Sequence, residues 1–279
     1  MKDIIIDTLI DTLKLVPFLF IAFLLIELFE HKFSKRSIKV VESSGKYGPI
    51  LGSFLGIIPQ CGFSVMATNL YVTRLITLGT LISIYLSTSD EMLPILISEK
   101  AEFSLIIKIL LIKLFIGMLV GFIIDKIFKV KKEKKNYDIC EEEHCHCKES
   151  IIISSLKHTL NIVVFILLIN FILNICFNYL GQDYLSKILL KDSFFGPFIS
   201  GLIGLIPNCG ASVMLTELYI NNAINFGSLI SGLLTGSGIA IMILFKTNKH
   251  FLENIKVIGI LYIVGVLSGI IIELIIYNT

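Results

Sequence analysis

The chain has 279 residues, of which 55% are hydrophobic and 16% charged, with a formal net charge of +2 and a mean hydropathy of +0.86. A soluble domain of this size is rarely so apolar, and the apolar runs are long enough to cross a bilayer. The small net charge gives no reason to expect a nucleic-acid partner; for a membrane chain, what matters is where the charges sit.

The first apolar segment covers about 4–30. It opens Met-Lys-Asp-Ile-Ile-Ile-Asp, with Asp3, Asp7 and Asp11 and no small-residue cleavage site, which reads as a retained helix and not a signal peptide. A basic loop follows at 31–47, with Lys32, Lys35, Arg36, Lys39 and Lys46. The second segment, 48–72, carries Gly-Ile-Ile-Pro-Gln-Cys-Gly-Phe-Ser-Val-Met at 56–66. The third, 75–97, contains Ser87-Thr88-Ser89-Asp90-Glu91-Met92-Leu93-Pro94, where Pro94 suggests a broken helix. The fourth covers 103–128. A polar stretch at 129–150 then leads to four further segments at about 151–180, 196–220, 223–245 and 254–277.

The second half repeats the first. Shifting 48–90 by 148 positions onto 196–238 gives 20 identities in 43 ungapped pairs, including Gly-Leu-Ile-Pro-Asn-Cys-Gly-Ala-Ser-Val-Met at 204–214. Shifting by 147, Ile4, Ile5, Ile6, Leu9, Thr12, Leu13, Val16 and Phe18 match residues of 151–165. The expected organisation is therefore a membrane repeat at 1–128, a linker at 129–150 and a second repeat at 151–279.

Charge then discriminates between topologies. With eight crossings, the basic loop at 31–47 and the basic linker (Lys126, Lys129, Lys131, Lys132, Lys134, Lys135) would face opposite sides, against the cytoplasmic bias of Lys and Arg. If 48–72 and 196–220 instead enter and leave on one side, each half crosses three times. Both basic regions then become cytoplasmic, with Lys246, Lys249 and Lys256. The expected fold is all-α: two inverted repeats, each with three crossing helices and one broken re-entrant hairpin. The alternative is an eight-span parallel repeat with kinked helices.

Pro59 and Pro207 each lack an N–H, and Gly62 and Gly210 tolerate angles a side chain forbids, so these four mark the helix breaks. Backbone released at membrane depth is tolerated where it lines a cavity or is covered by protein. Around the breaks, Gln60 and Asn208 offer amide oxygens, Cys61 and Cys209 sulfur, Ser64, Ser212, Thr68 and Thr216 hydroxyls, and Met66 and Met214 thioethers. Pseudo-two-fold symmetry could bring Cys61 and Cys209 together, a soft-ligand pair suited to metalloids or soft transition metals. The competing reading is that small residues there let helices approach closely. Asp90 and Glu91 are candidates for binding a cation or carrying a coupling proton, against a plain interfacial placement; their equivalents, Gly238 and Ile239, are not acidic.

In the linker, Cys140, His144, Cys145, His146 and Cys147 place five soft or borderline donors within eight residues. Adjacent ligands cannot all converge on one tetrahedral ion, so a loose, exchangeable metal site, or an ordinary polar linker, is expected. A cytoplasmic linker would keep its thiols reduced.

These residues resemble the ten-helix heavy-metal exporters, a family whose members are labelled arsenic efflux proteins or manganese transporters. The resemblance rests on Asp11-Thr12-Leu13-Lys14 with Pro17-Phe18-Leu19-Phe20, and on Ile58-Pro59-Gln60-Cys61-Gly62-Phe63-Ser64. Leu70-Tyr71, Gly79-Thr80-Leu81-Ile82, Ser87-Thr88-Ser89-Asp90-Glu91, Pro207-Asn208-Cys209-Gly210 and the His/Cys-rich linker also take part. Six crossings plus two hairpins of two half-helices would make ten helical segments. The expectation is a non-enzymatic, multi-pass exporter of a heavy metal or metalloid in a bacterial inner membrane, with no required cofactor beyond a candidate linker metal, and with a homodimer left open. The rivals are a divalent-cation (manganese) exporter using Asp90, Glu91, Gln60 and Asn208, a membrane thiol oxidoreductase cycling Cys61 and Cys209, and a metal-sensing receptor built on the linker.

Overall fold

The computed structural model describes residues 47–57, 61–89, 92–128, 195–207 and 209–277, with scattered helical positions within 16–24 and 156–171. The described residues form helices and no strand. In the first half these are α1 (Gly48–Gly56), α2 (Cys61–Val72), α3 (Leu78–Ser87), α4 (Met92–Ser98) and α5 (Phe103–Ile127). In the second they are α6 (Gly196–Gly204), α7 (Cys209–Ile220), α8 (Phe226–Thr235), α9 (Ala240–Thr247) and α10 (Phe251–Tyr277). Each helix of the second half starts 148 residues after its counterpart, so the duplication in sequence is a duplication in structure.

Small residues set the packing. A Cβ on Gly48 would fall 2.3 Å from Thr80 Oγ1, one on Gly52 2.5 Å from Ser83 Oγ, and one on Gly56 2.0 Å from Ser87 Oγ. Rising numbers meet rising numbers, so α1 runs alongside α3 in the same direction. α5 runs the other way, with Gly79 against Gly121 and Asp125, and Gly117 against Ser83 and Ser87. The same three-helix unit recurs in α6, α8 and α10, where Gly204 meets Gly232 and Thr235, and Gly227 meets Gly269 and Glu273.

A carboxylate from the third helix closes each unit. Thr77 caps α3 through Thr80 N, while Asp125 accepts from Gly79 N at 2.9 Å and Thr77 Oγ1 at 2.7 Å. Glu273 accepts from Gly227 N at 2.9 Å, satisfying a helix N-terminus that Asn225 does not cap with its side chain. The turns after α2 and α7 are also built alike. Leu75 N reaches Leu70 O and Ala223 N reaches Leu218 O, each at 2.8 Å, with Arg74 and Asn222 in the left-handed region.

Across the halves, α2 packs on α9, α7 on α4 and α3 on α8. Every residue of α3 and α8 is buried. Phe103–Ile127, Phe226–Thr247 and Phe251–Tyr277 are long and apolar enough to cross a membrane. The most apolar windows of α5 and α10 are 33% and 28% buried, against 89% for Phe226–Thr247. The broken pair α8–α9 therefore occupies the centre, while α5 and α10 present Phe115, Leu119, Ile263 and Leu267 outward, as lipid contact requires.

Candidate functional site

The helix pairs α3–α4 and α8–α9 are interrupted at equivalent places. α3 stops at Ser87 and α4 starts at Met92; α8 stops at Thr235 and α9 starts at Ala240. Pro94 lies in the first turn of α4, where its missing N–H costs no helical hydrogen bond, so it follows the interruption without causing it. In the second half the interruption is Gly236-Ser237-Gly238-Ile239, with Gly238 at φ 56°. There the backbone takes the left-handed turn that favours glycine.

A small cavity sits between the two interruptions. Thr88, Ser89 and Met92 form one wall, Leu233, Gly236 and Gly238 another, and Gly204, Ala211 and Ser212 of the second Pro-Asn-Cys-Gly corner a third. Lys113, from α5, completes the lining. Its side chain is 1% exposed, and its ammonium donates to Thr88 O in the first half and to Leu233 O, at 2.7 Å, in the second. One cation thus holds released backbone carbonyls from both interruptions. The equivalent residue on α10 is the buried Leu261, so the charge is present once.

The hydroxyls of the interrupted segment are engaged as donors. Thr88 Oγ1 donates to Ile84 O at 2.7 Å and Ser89 Oγ to Ser87 O at 3.2 Å. Their remaining capacity is oxygen lone pairs.

Ser212 lines the cavity. Ser64, its counterpart on α2, is buried, and its carbonyl accepts from Thr68 Oγ1. Thr68 pairs with Tyr85 Oη, which itself reaches Ala240 O at 3.4 Å in the other half. At the positions equivalent to Ala211 and Leu233 the first half carries the bulkier Phe63 and Tyr85.

Cys61 and Cys209 open α2 and α7; their side chains lie outside the described residues. Gln60, Asn208, Asp90, Glu91 and Pro59 also fall outside them, as do Cys140, His144, Cys145, His146 and Cys147 of the linker. Asp90 and Glu91 are nonetheless bracketed by Ser89 and Met92, which both line the cavity. Gly62 and Gly210 are the second residues of helices α2 and α7, whereas Pro207 lies in the turn between α6 and α7. Among the described residues no group of three or more His, Cys, Asp or Glu is placed to hold a metal. Sequence reasoning missed Lys113, and the signal was available: an ionisable residue midway along a 25-residue apolar helix.

No curated protein and no solved structure matches the chain. One family model matches twice, over residues 1–175 and 148–278, which together span almost the whole sequence. The second match begins where the second half begins, as an internal duplication requires. With its apolar helices, this is a multi-pass membrane protein of the family described as "Putative, 10TM heavy-metal exporter", and the chain belongs to that family.

Proposed function

We propose that the chain exports a heavy metal or metalloid, arsenite-like or a soft transition metal, from the cytoplasm, through two inverted repeats rocking about the central cavity. The observation that carries this reading is the meeting of two helix interruptions, one from each half, at one cavity that Thr88, Ser89, Lys113 and Ser212 help to line. Broken helices from paired repeats are how many transporters expose backbone groups to cargo near the bilayer midplane.

Several contacts support inversion. Phe128, at the end of α5, lies under Lys256, near the start of α10, with 4.6 Å from the ammonium to the ring centroid. Lys108, near the start of α5, lies 5.1 Å from the ring of Phe226, which starts α8. Arg74, just before α3, pairs with Glu253 near the start of α10. Since α5 and α10 each run antiparallel to their α3 or α8, these contacts put the starts of α3 and α8 at opposite ends. The parallel run of α1 and α3 similarly supports a re-entrant hairpin, because α2 must return to the end where α1 began. Cytoplasmic placement of 31–47 and the linker then follows from their Lys and Arg content.

In this reading Cys61 and Cys209 are the sulfur ligands, Gln60, Asn208, Ser64 and Ser212 complete the pocket, and Asp90 or Glu91 supplies charge balance or proton coupling. The linker cysteines and histidines capture ions before export. No enzymatic step is required. The test is counterflow of arsenite and a panel of metal ions in proteoliposomes, with Cys61→Ser and Cys209→Ser. Loss of flux in both variants is expected. Retained flux would instead favour an oxygen-liganded cation such as Mn²⁺, and thiol–disulfide exchange in detergent without flux would favour an oxidoreductase.

A further inference from the structure

We propose that Tyr85 is the gate of the bundle: through Thr68 and Ala240 O it seals the central cavity from the end at which α2 and α9 finish, and its hydroxyl allows that seam to part and re-form. The inference rests on the transport reading above and adds which end this conformation closes, and with which residues.

The described helices fix the two ends. α2 leads through Arg74 into the start of α3, and α9 leads into α10, where Glu253 pairs with Arg74. α2 and α9 therefore finish at one end. α7 leads into the start of α8, and α4 leads into α5, where Lys108 lies against Phe226. α4 and α7 therefore finish at the other. The cavity belongs to this second pair. Met92 opens α4, and Ala211 and Ser212 lie in the first turn of α7, whereas among the described residues no member of α2 or α9 lines it.

Between α2 and α9 stands a hydroxyl bridge. Tyr85, in the last turn of α3 and fully buried, places Oη 2.5 Å from Thr68 Oγ1 of α2 and 3.4 Å from Ala240 O of α9. The equivalents of Tyr85 and Ala240 are Leu233 and Met92, and both line the cavity. One seam thus carries a bridge at the place where the other carries cavity wall. Further out, Arg74 lies over the Tyr71 ring, 5.4 Å from its centroid, and pairs with Glu253. The same seam is closed a second time at its end.

The hydrogens make this bridge reversible. Thr68 Oγ1 donates to Ser64 O at 2.7 Å, so the Tyr85 hydrogen goes to Thr68 and has Ala240 O as its second acceptor. A buried hydroxyl left without a partner is costly. Here either neighbour can leave and the other still accepts, so α2 and α9 separate without stranding the tyrosine. Leu233 offers no such bond to α7 or α4. In the inverted topology proposed above the sealed end is cytoplasmic, and the seam must open there for cargo to enter.

The test compares backbone deuterium uptake of the full-length protein in lipid nanodiscs between wild type and Tyr85→Phe, which keeps the ring and removes the hydroxyl. Uptake in α2 and α9 is expected to rise about twofold to tenfold, as the loss of one buried hydrogen bond implies. Uptake in α4 and α7 should fall in the same variant, because the population moves toward a state open at one end and closed at the other. A merely structural role would loosen both pairs or neither, and either result overturns the proposal. If Tyr85→Phe does not fold, Thr68→Val, which removes the first acceptor, must show the same opposed shift. Counterflow of arsenite and metal ions by the wild type tests the transport reading separately. Its absence removes that reading and leaves the opposed uptake to judge the seal, whereas flux without opposed uptake overturns the gate alone.

Discussion

Lys113 and Leu233 join the two halves of the molecule: the ammonium of one donates to the backbone carbonyl of the other at 2.7 Å, deep in the bundle. The second bond, to Thr88 O, ties the same cation to the first interruption. Lys113→Met would keep most of the apolar stem and remove both donors. A buried carbonyl left unsatisfied costs about 1–3 kcal/mol, so the variant should unfold at a distinctly lower temperature in detergent. Lys126→Met, at an exposed lysine on the same helix, should stay within about 0.5 kcal/mol of wild type. Equal stability of the two variants would remove Lys113 as an inter-repeat tie.

Asp125 and Glu273 cap helix starts, each accepting at 2.9 Å the N–H of a glycine 46 residues earlier, Gly79 and Gly227. Asp125 also accepts from Thr77. Replacing either by Ala leaves an orphan donor at a packed helix start, at a cost of about 1–3 kcal/mol. Asp125→Ala should be the worse of the two, because it loses two bonds. Asp125→Asn should fall between wild type and Ala, since one oxygen still accepts. The sites share no partner, so the double alanine variant should show the sum of the single effects to within about 0.5 kcal/mol. Thermal unfolding of the four variants checks the order and the additivity.

These two examples mark the limit of what was legible in the sequence. Among the described residues, segment limits followed from hydropathy to within three residues, as with 103–128 against Phe103–Ile127 and 254–277 against Phe251–Tyr277. The 148-residue offset foretold that α1 to α5 would recur as α6 to α10. Ser89 and Ser212 belong to motifs that the sequence singled out, and both line the cavity. Lys113 escaped because duplication was the guide, and its counterpart is Leu261. Asp125 and Glu273 escaped for a different reason. Near the ends of long apolar helices they read as interfacial charges, and no local spacing reveals that a carboxylate will satisfy a helix start elsewhere. The two halves differ in side-chain volume beside the cavity, Tyr85 against Leu233 and Phe63 against Ala211. A repeat alignment counts those pairs as mismatches and assigns them no meaning.

Gly204→Ala and Gly259→Ala should separate packing from backbone preference. A Cβ on Gly204 would lie 2.1 Å from Gly232 O and 2.2 Å from Thr235 Oγ1, whereas one on Gly259 meets nothing within 4 Å. The first carbonyl belongs to the backbone and cannot swing aside, so α6 and α8 would have to separate. Overpacking of this kind costs about 1–3 kcal/mol. Gly259→Ala instead removes backbone freedom from a helix interior and should be neutral or stabilising by up to about 1 kcal/mol. Gly204 also lines the cavity, so its alanine variant should lose transport along with stability, while Gly259→Ala keeps both. Equal unfolding temperatures for the two would contradict close approach at Gly204.

Arg74 and Glu253 form a two-pronged ion pair between the halves, with Arg74 Nη2 at 3.0 and 2.9 Å from the two carboxylate oxygens. The side chains are 32% and 37% exposed, so water screens the pair and its worth to stability is about 0–1 kcal/mol. At the equivalent positions Asn222 and Leu105 stand in place of Arg74 and Glu253. The tie therefore exists at one end of the bundle and has no symmetric copy. If the halves rock during transport, the pair must part in the state open at that end and hold in the other. Arg74→Glu and Glu253→Arg alone should each alter flux, by placing like charges together, more than they alter unfolding temperature. The double exchange Arg74→Glu/Glu253→Arg should recover most of the wild-type flux, and the effect of the single changes should weaken as salt rises. Flux in the double variant no better than in either single one would mean the two residues act separately, and the one-sided tie would play no part in the cycle.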